Sequence, residues 1–256
     1  MSDLIIRQFP CRSDNYGVLV HEPQNGFTAA IDTPDPEPIR AKLAAQGWTL
    51  THIFTTHHHG DHTAGHAALK SETGCTIIAP AKEAAKIPGV DIEVAEGDEY
   101  DFGGHTVRVI ETPGHTAGHV TYFLPDDGVA FAGDTLFSLG CGRLFEGDGP
   151  MMWASLQKLM ALPPETLVYC GHEYSQSNAA FALSVEPGNA ALQQRAKEIG
   201  ELRAKGLATV PFTIAAELSQ NPFLRPGSPE IQQKIGMVGH PLATIFTELR
   251  RLKNAF

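Results

Sequence analysis

The stretch His57-His58-His59-Gly60-Asp61-His62 decides the fold, because it places four good metal ligands within six residues in the pattern H-x-H-x-D-H. It comes directly after an apolar, strand-like segment at residues 53–56. Imidazole nitrogen and carboxylate oxygen suit a borderline cation such as zinc. The alternative is a solvated polar loop or an affinity tag, but a tag would lie at a terminus and would not contain Gly-Asp between histidines. The stretch therefore predicts a metal site at the end of a strand.

Three later strand-like segments are each followed by a glycine and then by a possible ligand. Glycine lets the backbone turn tightly, so a ligand can follow a strand at once. Ligands placed just past the ends of several strands can converge at one rim of a sheet, where α/β architectures hold their sites. The segments and the ligands that follow them are 107–111 with His115, 129–132 with Asp134, and 167–170 with His172.

The number of candidate ligands indicates more than one metal ion. A catalytic zinc normally takes three protein ligands and leaves one position for water. Seven ligands are too many for one such ion and suit two divalent ions that share a carboxylate, with a hydroxide between them. We expect zinc, although His/Asp sites also accept iron or manganese. The candidates are His57, His59, Asp61, His62, His115, Asp134 and His172.

Length and composition limit the class of protein. The 256 residues, 42% of them hydrophobic, make one large domain or one domain with an appendage. The net charge of −10 argues against nucleic-acid binding. We see neither a signal peptide nor an apolar stretch long enough for a membrane span. The four cysteines form no C-x-x-C pair, so we expect reduced thiols in the cytoplasm. We also expect a monomeric protein.

Sequence patterning predicts strands first and helices afterwards, which is an α+β arrangement. We expect a catalytic domain over residues 1–173 and a helical substrate-binding domain over 174–256. Ser228-Pro229-Glu230 is a helix start, with an N-cap, a proline in the first turn and an acid next. Strands are predicted at 4–9, 16–21, 27–31, 52–55, 76–79, 106–111, 120–124, 129–132 and 167–170. Helices are predicted at 36–46, 64–73, 151–161, 173–185, 190–205, 231 to about 237, and 241–253.

The motifs at 56–62, 112–115, 133–134 and 171–172 together resemble the metallo-β-lactamase superfamily. That superfamily has an αβ/βα sandwich with a two-metal site at one edge. The segments at 133–137, 140–147, 171–174, 221–225 and 250–256 resemble more narrowly the glyoxalase II, or hydroxyacylglutathione hydrolase, branch. The resemblance covers essentially the whole chain. It implies an αβ/βα sandwich followed by a C-terminal helical domain.

The resemblance also implies a role for each site residue. Metal one would be held by His57, His59 and His115, and metal two by Asp61, His62 and His172, with Asp134 bridging them. Glutathione contacts would fall on Arg143, Tyr174, Arg250 and Lys253. Some relatives have Lys in place of Arg143, which keeps the charge but not its geometry. Some have Tyr in place of Phe145, so no polar contact is assigned to Phe145.

The implied reaction is hydrolysis of the thioester S-D-lactoylglutathione, and of related S-2-hydroxyacylglutathiones, to D-lactate and glutathione. This is the second step of methylglyoxal detoxification. A free thiol has a pKa of about 8.5, so the thiolate leaves near neutral pH with little need of a general acid. The reaction lacks a nucleophile, which a metal-bridging hydroxide would supply. Asp134 would hold the metals together, and Asp61 acts as a ligand or as a base.

Several residues keep an alternative interpretation. Arg250 and Lys253 lie three apart on a predicted helix and share a face, but basic residues in a last turn also complement the helix dipole. Tyr174 can join the site or serve as a core aromatic. A supporting role behind the metal ligands stays open for His58, His66, His119 and Cys141.

Three other functions compete with thioester hydrolysis. A sulfur dioxygenase of the same superfamily would use a single iron on a glutathione-linked persulfide. A lactonase or β-lactamase would use a similar site, although a periplasmic β-lactamase needs a signal peptide. A structural zinc prefers a closed four-ligand site, usually with cysteine, and seven His/Asp ligands do not fit it.

Overall fold

The computed structural model describes residues 3–256. Met1 and Ser2, on which the expectation of no signal peptide partly rests, lie outside the described residues. The chain forms two compact units. Unit 1 comprises the described residues up to Glu111 together with Thr116–Gly133, and unit 2 comprises Thr112–His115 together with Asp134–Phe256.

Unit 1 contains a six-stranded sheet in the order β1-β2-β3-β4-β5-β6. The first three strands pair antiparallel, and the last four pair parallel. Parallel neighbours need crossover connections, which helices supply here. The strands are β1 Ile5–Cys11, β2 Asn15–Glu22, β3 Phe27–Ile31, β4 His52–Phe54, β5 Thr76–Pro80 and β6 Ile92–Val94. The helices are α1 Pro36–Gln46, α2 Gly60–Thr63, α3 His66–Thr73 and a short 3-10 helix at Ala84–Lys86.

Helix α1 has the predicted bounds, and its ends show why. The Asp35 side chain accepts a hydrogen bond from the Glu37 amide, and proline occupies the first turn. Gly47 ends the helix with φ of 67°, in the left-handed region that favours glycine. Helix α3 ends in the same way at Gly74, with φ of 69°. The two helices and the sheet share an apolar core that includes Ile39, Leu43, Ile53, Leu69 and Ile77.

A second group of strands in unit 1 pairs antiparallel in the order β10-β9-β8-β7. Tyr122, fully buried on β9, donates a 2.8 Å hydrogen bond to the Thr55 carbonyl. The Val120 amide donates to the Thr56 carbonyl. Strand β9 is therefore fixed against the end of β4, where the histidine-rich loop begins. The strands are β7 Glu99–Phe102, β8 His105–Glu111, β9 Val120–Leu124 and β10 Val129–Phe131.

Unit 2 is mainly helical. Its helices pack around buried side chains that include Leu139, Ala182, Leu192 and Ile199. The strands are β11 Leu136–Phe137, β12 Gly140–Cys141, β13 Leu167–Tyr169 and β14 Phe212–Thr213, of which β11 pairs with β12 and β13 with β14. The helices are α4 Gly149–Met160, α5 Ser175–Val185, α6 Ala190–Ala204, α7 Ile214–Gln220, α8 Pro229–Lys234 and α9 Leu242–Ala255.

The structure differs from the sequence-based elements in a few places. The predicted helix at 64–73 begins two residues later, as α3 at His66, and the separate short helix α2 precedes it. Ser228 precedes α8 as predicted, but its hydroxyl donates to Glu186 and does not cap the helix. The elements β6, β7, β11, β12, β14, α2 and α7 and the 3-10 helix at Ala84–Lys86 were not predicted.

The α+β class is confirmed, and the domain boundary at 173/174 stays a prediction. Among the described helices, none is both long and apolar enough to cross a membrane.

Candidate metal centre

In unit 1, two of the predicted ligands, His57 and His59, lie on the loop after β4, and two more, Asp61 and His62, lie in the short helix α2 that follows it. His57 and His62 are buried, whereas His59 and Asp61 are partly accessible. Asp32, at the end of β3, anchors this loop. Its carboxylate accepts hydrogen bonds from the Thr56 amide at 2.7 Å and from the Thr56 hydroxyl at 2.8 Å. The loop is therefore tied to the sheet just before its first histidine.

Hydrogen bonds orient two of these imidazoles. His62 Nδ1 lies 2.8 Å from Asp32 Oδ2, and since a carboxylate accepts, Nδ1 donates. The Thr56 hydroxyl, which donates to Asp32, accepts from His57 Nδ1 at 2.9 Å. In the neutral form, both rings therefore carry their proton on Nδ1, and Nε2 is the nitrogen that can bind a cation.

The distances between donor atoms in unit 1 fit a metal site. His57 Nε2 lies 3.1 Å from His59 Nδ1, and His62 Nε2 lies 3.7 Å from Asp61 Oδ2. Two ligands at about 2.0–2.1 Å from a tetrahedral zinc stand roughly 3.3 Å apart. Asn15 Nδ2 donates to Asp61 Oδ2 at 3.2 Å and to the Asp61 carbonyl at 3.1 Å, which restrains that carboxylate.

In unit 2, the other three predicted ligands are buried side chains that meet at one oxygen. Asp134, which is 5% exposed, places Oδ2 3.4 Å from His115 Nε2 and 3.3 Å from His172 Nε2. His115 Nδ1 donates to the Arg143 carbonyl at 2.9 Å, so in the neutral ring Nε2, which faces Asp134, is the nitrogen that can bind a cation. These separations of Asp134 Oδ2 from the two Nε2 atoms are close to those of two donors that share an ion. Unit 1 therefore presents a His/Asp cluster whose donor atoms could hold a metal ion, and unit 2 presents Asp134 between two imidazoles.

Two glycines allow the close approaches that unit 2 needs at this cluster. A Cβ on Gly142 would lie 2.0 Å from the Asp134 carbonyl oxygen. Gly114, just before His115, has φ of 146° and abuts the backbone of Met152. Any side chain at either position would displace a ligand-bearing segment.

Asp32 is the functional residue that sequence inspection missed. Asp32 directly follows strand β3, just as predicted ligands follow other strands. This position is the feature of the sequence that could have revealed it. We expect Asp32→Asn to weaken metal binding ten- to hundredfold, because Asp32 accepts with one oxygen from the Thr56 amide and with the other from His62, and asparagine would turn an NH2 group toward one of these donors. Asp35→Ala is the matched control, since it removes only the cap of α1, at a cost of about 1 kcal/mol. Metal affinity measured by chelator competition should fall in the first variant only; equal affinity in both would remove Asp32 from the site.

Three histidines and one thiol, for which the sequence left a supporting role open, lie outside the set of predicted ligands. His58 contacts Glu83, whose carboxylate also accepts from the Gly118 amide. Burial lowers the pKa of His66 to about 3, and its neutral ring hydrogen-bonds Thr33 and Thr55. The ring of His119 stacks on that of His57, with centroids 4.9 Å apart. Burial raises the pKa of the Cys141 thiol to about 11, so this thiol stays protonated.

The four predicted glutathione contacts all lie in unit 2, in different settings. Arg143 is exposed. The Tyr174 ring stacks on the His172 ring at 4.7 Å with an interplanar angle of 5°, and it packs edge-on against Phe137. Tyr174 therefore lies directly beside the predicted metal ligand His172.

The two cations of helix α9 are held more firmly than the sequence indicated. Arg250 is only 5% exposed, and its Nη1 donates to the Cys141 carbonyl at 2.8 Å. Lys253 Nζ donates to the Ser177 carbonyl at 2.8 Å. Burial lowers the pKa of Lys253 to about 8, with further lowering by the charges of Arg250 and Arg143. These three residues therefore form a positive region that would favour an anion.

Comparison with family models matches the chain in two adjoining parts. Residues 28–172 match the model described as Metallo-beta-lactamase superfamily. Residues 173–256 match the model described as Hydroxyacylglutathione hydrolase C-terminus. The two models together cover residues 28–256.

Individual relatives of the chain carry the same family name as the model that matches residues 173–256. The chain is 55% identical to the hydroxyacylglutathione hydrolase of Rhizobium meliloti, over the whole of both chains. It is also 55% identical to that of Brucella anthropi, covering 99% of this chain and 97% of the relative. Among solved structures, ETHE1 from Myxococcus xanthus superposes with a TM-score of 0.67 at 29% identity, covering 98% of each chain.

Proposed function

The chain belongs to the hydroxyacylglutathione hydrolase family of the metallo-β-lactamase superfamily, and we propose that it hydrolyses S-D-lactoylglutathione and related S-2-hydroxyacylglutathiones to a 2-hydroxy acid and glutathione. The observation that carries this proposal is the position of Asp134 Oδ2, within 3.4 Å of both His115 Nε2 and His172 Nε2. A carboxylate placed in this way can be shared by a pair of divalent ions about 3.5–4 Å apart. In unit 1, the imidazoles of His57 and His62, which Thr56 and Asp32 orient, supply further donors for such ions.

We assign the ligands as the family pattern arranges them. His57, His59 and His115 would hold one ion, Asp61, His62 and His172 the other, and Asp134 both. When bound, two such ions supply a hydroxide nucleophile near neutral pH and polarise the thioester carbonyl. Asp32, Thr56 and the Arg143 carbonyl fix the tautomers that make the imidazoles ligands. Asn15 holds the Asp61 carboxylate, which favours a ligand role for Asp61 over that of a mobile base.

The leaving group needs little help from the protein. A thiol of pKa about 8.5 departs as thiolate near neutral pH, so no side chain has to protonate it. What the protein must do is bind the glutathione moiety, which carries two carboxylates. Arg143 and Lys253 offer charge for these groups, and the Tyr174 ring offers a surface beside His172. Arg250 contributes its charge from a buried position and at the same time fixes the Cys141 carbonyl.

The pKa of Lys253 gives a test of the carboxylate-binding region. Because that pKa is about 8, the ammonium is present below pH 8 and is lost as the pH rises through 8. We therefore expect KM for the glutathione thioester to rise above pH 8 while kcat changes less. Lys253→Arg keeps its charge at high pH and should abolish the rise. An identical rise in both proteins would show that Lys253 does not bind the substrate.

The proposed reaction is tested by hydrolysis of S-D-lactoylglutathione, compared with a simple thioester that lacks the glutathione peptide. We expect rapid hydrolysis of the first and slow hydrolysis of the second. No hydrolysis of either by the fully metal-loaded protein would contradict the proposal. Oxygen uptake with a glutathione-linked persulfide in an iron-loaded sample would assign a dioxygenase activity in its place.

We propose zinc as the metal, a monomeric state and a cytoplasmic location. The His/Asp donor set supports zinc but also accepts iron and manganese. All four cysteines are buried and free, which fits a reducing compartment. Elemental analysis of the native protein and light scattering test the first two, and fractionation of cells tests the third.

A further inference from the structure

A strained turn lies between the metal ligand Asp134 and the predicted substrate contact Arg143. Strands β11 and β12 form a hairpin that pairs Leu136 with Cys141 and Phe137 with Gly140, so Ser138 and Leu139 make its two-residue loop. Leu139 has φ of 57°, in the left-handed region that costs a non-glycine residue roughly 1–2 kcal/mol. Such a conformation persists only when its surroundings impose it.

The hairpin is held by polar side chains from the helical part of unit 2. Glu217 on α7 accepts a 2.8 Å hydrogen bond from the Leu139 amide and another of 2.8 Å from Asn221 Nδ2, both at Oε2. Asn221 Nδ2 in turn lies 3.0 Å from the Gly140 carbonyl. Asn178 on α5 donates to the Ser138 carbonyl at 3.1 Å.

Glu217 occupies an unusual environment for a carboxyl group. It is 0% exposed, and none of the ion pairs found among the described residues includes it. Burial raises its pKa to about 7. A carboxyl group is costly to bury, so its retention at this position needs a compensating role. The Oε2 atom can accept both hydrogen bonds whether or not the acid is protonated.

The hairpin and the residues that flank it contact all three predicted ligands of unit 2, which are His115, Asp134 and His172. Gly142, just after β12, lies against the Asp134 carbonyl, and its amide donates to the Thr135 carbonyl. The Arg143 carbonyl accepts from His115 Nδ1. Phe137 packs edge-on against both His172 and Tyr174. A shift of this hairpin would therefore move Asp134 and release the orientation of His115.

We propose that Glu217 is a positioning residue for metal binding, because it holds the Ser138-Leu139 turn and so fixes the segment that runs from Asp134 to Arg143. This role rests on the proposed metal site. Glu217 is too deeply buried to meet the substrate and would act only through the hairpin.

The test compares three variants of the full chain. Glu217→Met keeps the length and apolar volume of the side chain but accepts no strong hydrogen bond. Glu217→Gln keeps an oxygen that can accept from both Leu139 and Asn221. Ile231→Ala is the matched control, because it opens a cavity in the buried face of α8, which supplies none of the hydrogen bonds to the hairpin given above, and it lowers the unfolding temperature. Zinc affinity is measured by competition with a chromogenic chelator, and stability by thermal unfolding.

We expect Glu217→Met to bind zinc tenfold or more weakly, on the scale of losing a support behind a ligand. Glu217→Gln should bind like the wild type, and Ile231→Ala should unfold at lower temperature with unchanged zinc affinity. Wild-type zinc affinity in Glu217→Met, or an equal loss of zinc affinity in Glu217→Met and Glu217→Gln, would overturn the proposal. If Glu217→Met does not fold, Asn178→Ala tests the same turn, and unchanged zinc affinity there would overturn it as well. A wild type that binds no zinc would instead contradict the proposed function.

Discussion

Replacing Asp134 with alanine should lower kcat/KM for S-D-lactoylglutathione by about three orders of magnitude, equivalent to ~4 kcal/mol of transition-state stabilisation. Asp134 Oδ2 lies within 3.4 Å of the two imidazole nitrogens of unit 2 that we assign to different ions. Without it, His115 and His172 keep their positions but lose the shared anion that brings two cations together. Metal content measured on the same sample should fall as well.

Asp148→Ala is the control for this change. Asp148 caps helix α4 in the same unit, where its side chain accepts from the Met151 amide. Its loss should cost about 1 kcal/mol of stability without affecting metal or activity. An Asp134→Ala protein that retained wild-type metal content and activity would remove the bridging carboxylate from the mechanism.

Replacing His59 with alanine should remove metal and activity together. His59 Nδ1 lies 3.1 Å from His57 Nε2, the separation of two donors on one ion. Without His59, the ion keeps only two histidines and the shared Asp134, so we expect it to dissociate at ordinary metal concentrations. Elemental analysis and the hydrolysis assay on one sample provide the measurement.

The adjacent His58→Ala variant is the matched control. The His58 ring faces Glu83, and its backbone amide still donates to Glu83 after the ring is removed. This variant should keep its metal and most of its activity. Loss of metal in His58→Ala, with retention in His59→Ala, would reverse the assignment of the loop.

The sequence was sufficient for features encoded locally. The bounds of helix α1 could be predicted to the residue, because an N-cap and prolines mark its start and Gly47 marks its end. The seven candidate ligands were identifiable because each follows a strand and usually a glycine. The structure then places them in two groups, each with donor atoms close together.

Features that depend on distant contacts could not be predicted. Asp32 acts on Thr56 and His62, which lie 24 and 30 residues away in the chain. Glu217 meets Leu139 across 78 residues, from a seven-residue helix that was not predicted. Spacing placed Arg250 and Lys253 on one face of a helix, but it could not show that Arg250 is buried against the Cys141 carbonyl. The strands β6 and β7 are too short for alternation to stand out.

The most direct test of the central claim is a metal titration of activity. Metal-free protein is titrated with zinc while hydrolysis of S-D-lactoylglutathione is followed. Two ions sharing Asp134 predict that activity rises until about two equivalents per chain are bound, and then levels off. Full activity at one equivalent, or none at saturation, would contradict a two-metal thioester hydrolase.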